Sequence, residues 1–346
     1  MKKLLLLLPV WMILLAGCSN DFEVAADWKE IPVAFGILSP VDTAHYVRVE
    51  KAFLDPETSA LTIAQIPDSL YYPESAITVY LQRVSNNQLL QMTRVNGALE
   101  GYPRKDGIFA TQPNWLYKYK PTSATDSLKK GEKYRLVIKR SDGKPDVTAE
   151  TTIPKDFFFF EPSAQDIPLV IGFVPTGPGT TLVEWRCDQS GVYFNVSFVI
   201  RYRDEYPDGT IENHSLEWLA AKNVERTNLQ VAGGLFKGFT QVPAESFYRF
   251  LSNSIDSVAN PPVRRFTGVD IILTGGGKEI KDFLATAAAN SGITGAEAFP
   301  TYTNLSEGFG LFTSKNTKRL NNARLTDQTI EEIETNPITA HLNFRL

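Results

Sequence analysis

The sequence predicts a mainly β protein: an N-terminal immunoglobulin-like β-sandwich followed by a second β-rich domain with two short helical insertions. Three observations predict it. Short runs of alternating apolar and polar residues recur along most of the chain. Turn signals separate them, such as Asp142-Gly143 and Pro207-Asp208-Gly209. Only two stretches place apolar residues at helical spacing: Phe247, Phe250, Leu251 and Ile255, then Ile280, Phe283, Leu284 and Ala287.

The first strands follow from alternation at Val33, Phe35 and Ile37, at Val47 and Val49, and at Ile77, Val79 and Leu81. Tyr134, Leu136 and Ile138 alternate next. A turn at residues 141–145 then leads to Val147, Ala149, Thr151 and Ile153, which reads as a hairpin. The first domain is placed at residues 29–154 and the second at 155–346. Four consecutive phenylalanines, Phe157 to Phe160, open the second and are expected in a strand buried on both faces or at the domain junction. Further strands are expected over residues 167–173, 181–187, 192–202 and 269–273, around Phe309 to Phe312, and at the end over 341–346.

Ahead of these elements lies an address. Lys2 and Lys3 precede an unbroken apolar stretch from Leu4 to Ala16. This is the charged and apolar layout of a secretory signal over residues 1–17, too short for a spanning helix of about 20 residues. Leu15-Ala16-Gly17-Cys18 resembles the lipobox of bacterial lipoproteins, which makes Cys18 the lipidated first residue of the mature chain. Two or three acyl chains at about 0.8 kcal/mol per buried methylene hold such a protein on a membrane. Residues 18–28 then form an acidic tether.

Removing the signal lowers Lys+Arg from 35 to 33 against 39 acids, and no basic patch argues for nucleic acid. With Cys18 lipidated, Cys187 stands alone and no internal disulfide can form. Its apolar neighbours make it a buried thiol. The three histidines, His45, His214 and His341, are scattered, and no ligand spacing for a metal or any cofactor motif is present. Gly275-Gly276-Gly277-Lys278 precedes a helix but lacks the spacing and the Ser/Thr of a phosphate loop, so it reads as a plain turn. Four Asp-hydroxyl-apolar tripeptides mark Thr43, Ser69, Ser127 and Ser257. They resemble O-glycosylation acceptors of exported Bacteroidota proteins, and they also suit turns and caps.

Ser19-Asn20-Asp21-Phe22-Glu23 resembles the acidic surface-export signal of Bacteroidota lipoproteins. The segments around Val33 to Leu38, Tyr46 to Val49, Asp68 to Tyr72, Ser246 to Phe250 and Tyr302 to Phe312 resemble an uncharacterised family of such lipoproteins. The resemblance implies a two-part β lipoprotein of the outer membrane, facing the exterior and often associated with TonB-dependent transporters. It brings no catalytic residues. The expected function is therefore a non-enzymatic accessory or binding module for an envelope complex. A glycan-binding sandwich is the first alternative, with Trp115, Tyr117 and Tyr119 as a stacking platform. A hydrolase using two carboxylates is the second.

Overall fold

The structure is a computed structural model and describes residues 30–52, 59–177, 179–290 and 301–346. It is mainly β. The first half contains β1 (Ile31–Leu38), β2 (His45–Ala52), β3 (Ile77–Arg83), β4 (Gln88–Gln91), β5 (Thr93–Asn96), β6 (Trp115–Tyr119), β7 (Lys133–Arg140) and β8 (Val147–Thr152). Two layers, β1-β2-β6-β5 and β4-β3-β7-β8, face each other. Alternation drives this arrangement: Val47 and Val49 in one layer, and Val79, Leu81, Leu136 and Ile138 in the other, all bury in one shared core. The β7–β8 hairpin pairs Ile138 with Val147, and Gly143 takes the positive φ its turn needs.

The second half adds β9 (Phe158–Glu161), β10 (Val170–Ile171), β11 (Thr180–Cys187), β12 (Tyr193–Glu205), β13 (Ile211–Glu225), β14 (Gln230–Val231), β15 (Leu235–Pro243), β16 (Val263–Gly276) and β17 (Phe309–Leu325). A small sheet, β14-β15-β11-β9, packs beside a long one in the order β13-β12-β16-β17-β1-β2-β6-β5, with β10 also paired to β17. The second core is aromatic. Phe173 stacks on Phe247 at 4.2 Å and meets Phe198 edge-on at 5.4 Å. The helix Ala244–Ser254 enters this core through Phe247, Tyr248 and Leu251, and the Tyr248 hydroxyl donates to the Phe173 carbonyl. Gly238 is required by packing, since a Cβ there would lie 2.3 Å from the Trp185 ring.

One strand belongs to both cores. β17 runs parallel to β1, pairing Ala34 with Gly310 and Gly36 with Phe312. Its Phe312, with nearby Leu305, completes the first core. Further along, Leu320, Ala323 and Leu325 enter the second. The boundary at residue 154 therefore divides the chain but not the long sheet. Gly310 makes the approach of β17 to β1 feasible: its φ is +135° and a Cβ would sit 1.8 Å from the Ala34 carbonyl oxygen.

The two expected helical insertions are present as Ala244–Ser254 and Lys278–Asn290. Other expectations need correcting. The run at 167–173 keeps only the two-residue β10, because its flanks make no strand ladder. Residues 341–346 are not a strand: a short 3-10 turn, Ala340–Leu342, precedes a single bridge from Phe344 to Arg264. A helix at Asp327–Thr335 was not anticipated; the Thr326 hydroxyl caps it by accepting from the Thr329 amide.

Candidate functional site

The long sheet carries an unusual surface where β1 and β17 meet. Alternation in β1 sends Ala34 and Leu38 into the core and turns Val33, Phe35 and Ile37 outward. Phe35 is 45% exposed and Ile37 52%. Beside them on β17, Phe309 is 43% exposed and pairs with Val33, while Leu311 pairs with Phe35. A strand apolar on both faces is the pattern of one covered on both faces, yet among the described residues the outer face is covered only in part: Leu311 is 9% exposed, while Phe35, Ile37 and Phe309 stay about half exposed.

Polar and aromatic groups rim this strip. On β2, Arg48 lies opposite Phe35 and Glu50 opposite Val33. Glu50 accepts from Arg48 at 3.1 Å and from Arg104 at 2.9 Å. The Tyr46 ring lies 4.8 Å from that of Tyr102, and its hydroxyl donates to Glu100 at 2.9 Å. Bonds from Lys118 and Tyr46 hold the Glu100 carboxyl below its ordinary range. A shallow cleft of about 370 Å³ runs along Phe35, Ile37, Tyr46 and Tyr102. An apolar centre with a charged rim is suited to gripping another protein surface.

A second cleft, of about 510 Å³, lies between the halves and is lined by Glu150, Glu279, Asp282, Tyr302 and Asn304. Glu150 receives Arg135 at 2.8 Å and Lys133 at 3.3 Å; the Arg135 bond foremost holds its carboxyl low. Glu279 is pushed up by burial, and Thr151 donates to it at 3.3 Å. Two carboxyls of opposed tendency thus line one cleft, each held by neighbours of its own. No hydrogen bond joins them among the described residues. Glu279 also ties its helix to β8, and a hydroxyl chain continues from Thr151 to Ser314 at 3.0 Å.

The expected glycine turn is corrected: Gly275 and Gly276 end β16 and only Gly277 separates it from the helix, because the glycines serve packing. A Cβ on Gly275 would meet the Phe157 and Phe194 rings at 2.5 and 2.6 Å, and one on Gly277 would meet the Glu279 carboxylate at 2.9 Å. An acid stands where a phosphate would have to sit. Among the described residues no group of three His, Cys, Asp or Glu could hold a metal ion.

Cys18 and the run Ser19, Asn20, Asp21, Phe22 and Glu23 lie outside the described residues. Thr43 and Ser257 are exposed in loops, whereas Ser69 and Ser127 are half-buried, and the Ser127 hydroxyl donates to the Ser123 carbonyl at 3.2 Å. Cys187 is fully buried, and burial pushes its thiol up to about 12. Trp115, Tyr117 and Tyr119 form no platform: Tyr117 and Tyr119 belong to the first core. The four phenylalanines alternate, with Phe157 and Phe159 buried and Phe158 and Phe160 exposed. Arg186 covers Phe160 at 4.1 Å. No helix among the described residues is long and apolar enough to cross a membrane. The exposure of the β1 face was missed from sequence, where alternation alone does not say which face stays open.

No family model matches this chain, and no curated protein is detectably similar. Among solved structures, it has a likeness to the C-terminal globular domain of an oligosaccharyltransferase from Pyrococcus abyssi, at 12% identity and a TM-score of 0.18. The match covers 86% of this chain and 50% of that one, so this chain spans about half the length of that structure.

Proposed function

We propose that this protein is a lipid-anchored accessory protein of the bacterial outer membrane, facing the exterior, that holds another envelope protein against the outer face of β1 and β17. The observation supporting this reading is the apolar strip of Phe35, Ile37 and Phe309, exposed inside a charged rim. The lipobox cysteine supplies the geometry. From Cys18 to Ile31 the chain spans at most roughly 45 Å when fully extended, so lipidation keeps the strip within reach of proteins embedded in the same membrane. That confinement raises effective concentration without demanding high intrinsic affinity. The partner is an integral membrane protein with an apolar extramembrane patch, and the family resemblance favours a TonB-dependent transporter. Asp21 and Glu23 would direct the chain outward, and the reading needs no cofactor.

The test is site-specific photocrosslinking in native membranes. A benzophenone side chain at Phe35 should trap one integral outer-membrane protein, identified by mass spectrometry, while the same probe at Ser197 on the polar part of the sheet should trap none. Equal products at both positions, or none at Phe35, would refute the docking role. Separately, Cys18→Ala should move the protein out of the membrane fraction; a processed variant still in the membrane would refute the anchor.

A further inference from the structure

A third cleft, of about 410 Å³, opens on the sandwich, lined by Asp68, Tyr71, Tyr72, Arg94 and Trp115 between Pro67 and Pro73. Its volume lies within the range of small-molecule sites. Arg94 sets its chemistry. The first half contains six arginines, and the other five, Arg48, Arg83, Arg104, Arg135 and Arg140, each reach a carboxylate within 4.0 Å. Arg94 reaches none. A guanidinium carries five N–H donors, and that of Arg94 makes one hydrogen bond, from Nη1 to the Tyr72 carbonyl at 3.2 Å. Its Nε is buried without a partner. Its Cζ lies 4.5 Å from the centre of the Trp115 ring, which helps to fix the fork in place.

We propose that this cleft binds an acidic sugar residue, with the sugar carboxylate seated on the Arg94 guanidinium. A planar fork with unused donors matches a carboxylate in two parallel bonds. Tyr71 and Tyr72, each 4% exposed, serve as wall, and the half-buried Trp115 leaves an aromatic edge for the apolar face of a sugar ring. Asp68, exposed at the mouth and without an ion pair among the described residues, is an acceptor for ring hydroxyls. It also disfavours carboxylates that bring no hydroxyl donors. The Tyr71 hydroxyl accepts from Arg104 at 3.1 Å, which steadies that wall. Arg104 also bonds Glu50 on the rim of the proposed docking strip, yet sugar binding and crosslinking are read separately, so either can fail without the other.

The experiment is titration calorimetry on the full-length lipidated protein in mild detergent, using trigalacturonate, its methyl ester and benzoate as probes. Trigalacturonate should bind, the neutral ester at least tenfold more weakly, and benzoate should not compete. Arg94→Gln should lower trigalacturonate affinity at least tenfold, and Arg94→Lys should recover part of it. Asp68→Asn, on an exposed side chain that cannot unsettle the fold, should weaken the sugar several-fold. Absence of trigalacturonate binding to the unmodified protein, equal affinity for acid and ester, or an Arg94→Gln variant of unchanged affinity and melting temperature would each overturn the proposal. Competition by benzoate would reassign the site to ring carboxylates in general and overturn the sugar.

Discussion

Around β12 and β16 the outer face of the long sheet is a charge network, whereas around β1 and β17 the same layer turns Phe35, Ile37 and Phe309 to solvent. In the first region Arg201 holds Asp270 through contacts of 2.7 and 2.8 Å. The Asn322 amide donates to the same carboxylate at 2.9 Å, and Arg319 stands 3.5 Å away. That face satisfies itself. The other leaves Phe35, Ile37 and Phe309 about half exposed, although strand alternation could have placed polar residues there. The difference teaches that two stretches of one sheet can differ in kind: polar groups close on one another across β12 and β16, while β1 and β17 leave apolar side chains half exposed, the feature on which the proposed docking role rests.

The largest expected effect tests whether the halves are separable at all. A chain of residues 29–154 lacks β17, so the inner edge of β1 is unpaired and the core loses Phe312 and Leu305. It should show no cooperative thermal unfolding by circular dichroism. A sharp transition from this fragment would show that β17 is dispensable to the first core.

Gly310→Ala comes next. With φ at +135° and the Ala34 carbonyl in the way, the strands must part, and stability should fall by about 3 kcal/mol or more in urea titration. Asp270→Asn attacks the charge network and should destabilise by about 2–3 kcal/mol. The Arg201 hydrogen bond foremost holds the Asp270 carboxyl below its ordinary value of 3.8. The folded state therefore binds its proton less tightly than the unfolded chain. Its stabilisation is present above pH 3.8 and lost as pH falls through the depressed folded value. The deficit of Asp270→Asn should shrink over that acid window and stay constant near neutrality.

The smallest effect is the most telling. Phe35→Thr and Ile37→Thr keep strand-compatible side chains at half-exposed positions and should each cost about 1 kcal/mol, well below Gly310→Ala. Crosslinking to a membrane partner should nevertheless disappear from the double variant, read with a probe at Val33. A large loss of stability would mean that the strip serves the fold.

The sequence revealed most where structure is local. Asp142-Gly143 between alternating runs located the β7–β8 hairpin, and the spacing of Phe247 and Leu251 located the helix that fills the second core. Phe158 and Phe160 misled because composition does not say which face of a strand stays open. The helix Asp327–Thr335 escaped because it buries little beyond Thr329 and Ile333. Long-range features left almost no trace. Nothing near Val33 announces a parallel partner at Phe309, and only Gly308 and Gly310 hint that two backbones meet there. Arg94 looks ordinary in sequence, since the missing carboxylate is visible only once every neighbour has been placed.

The parallel pairing of β1 with β17 also sets an order of events. A chain that leaves any ribosome or membrane pore N-terminus first delivers β1 at the outset and its partner strand near the end. Until Phe309 to Ser314 arrive, β1 has one ladder unformed and the first core lacks Phe312. Parallel, sequence-distant contacts of this kind form slowly, and unpaired edges aggregate in the interval. The apolar outer face of β1 deepens that exposure, because Phe35 and Ile37, half exposed in the finished protein, lack even their partial cover until β17 arrives. The fold is thus completed late and all at once, and a holding factor acting on the unfinished chain would find its target in the first eight-residue strand.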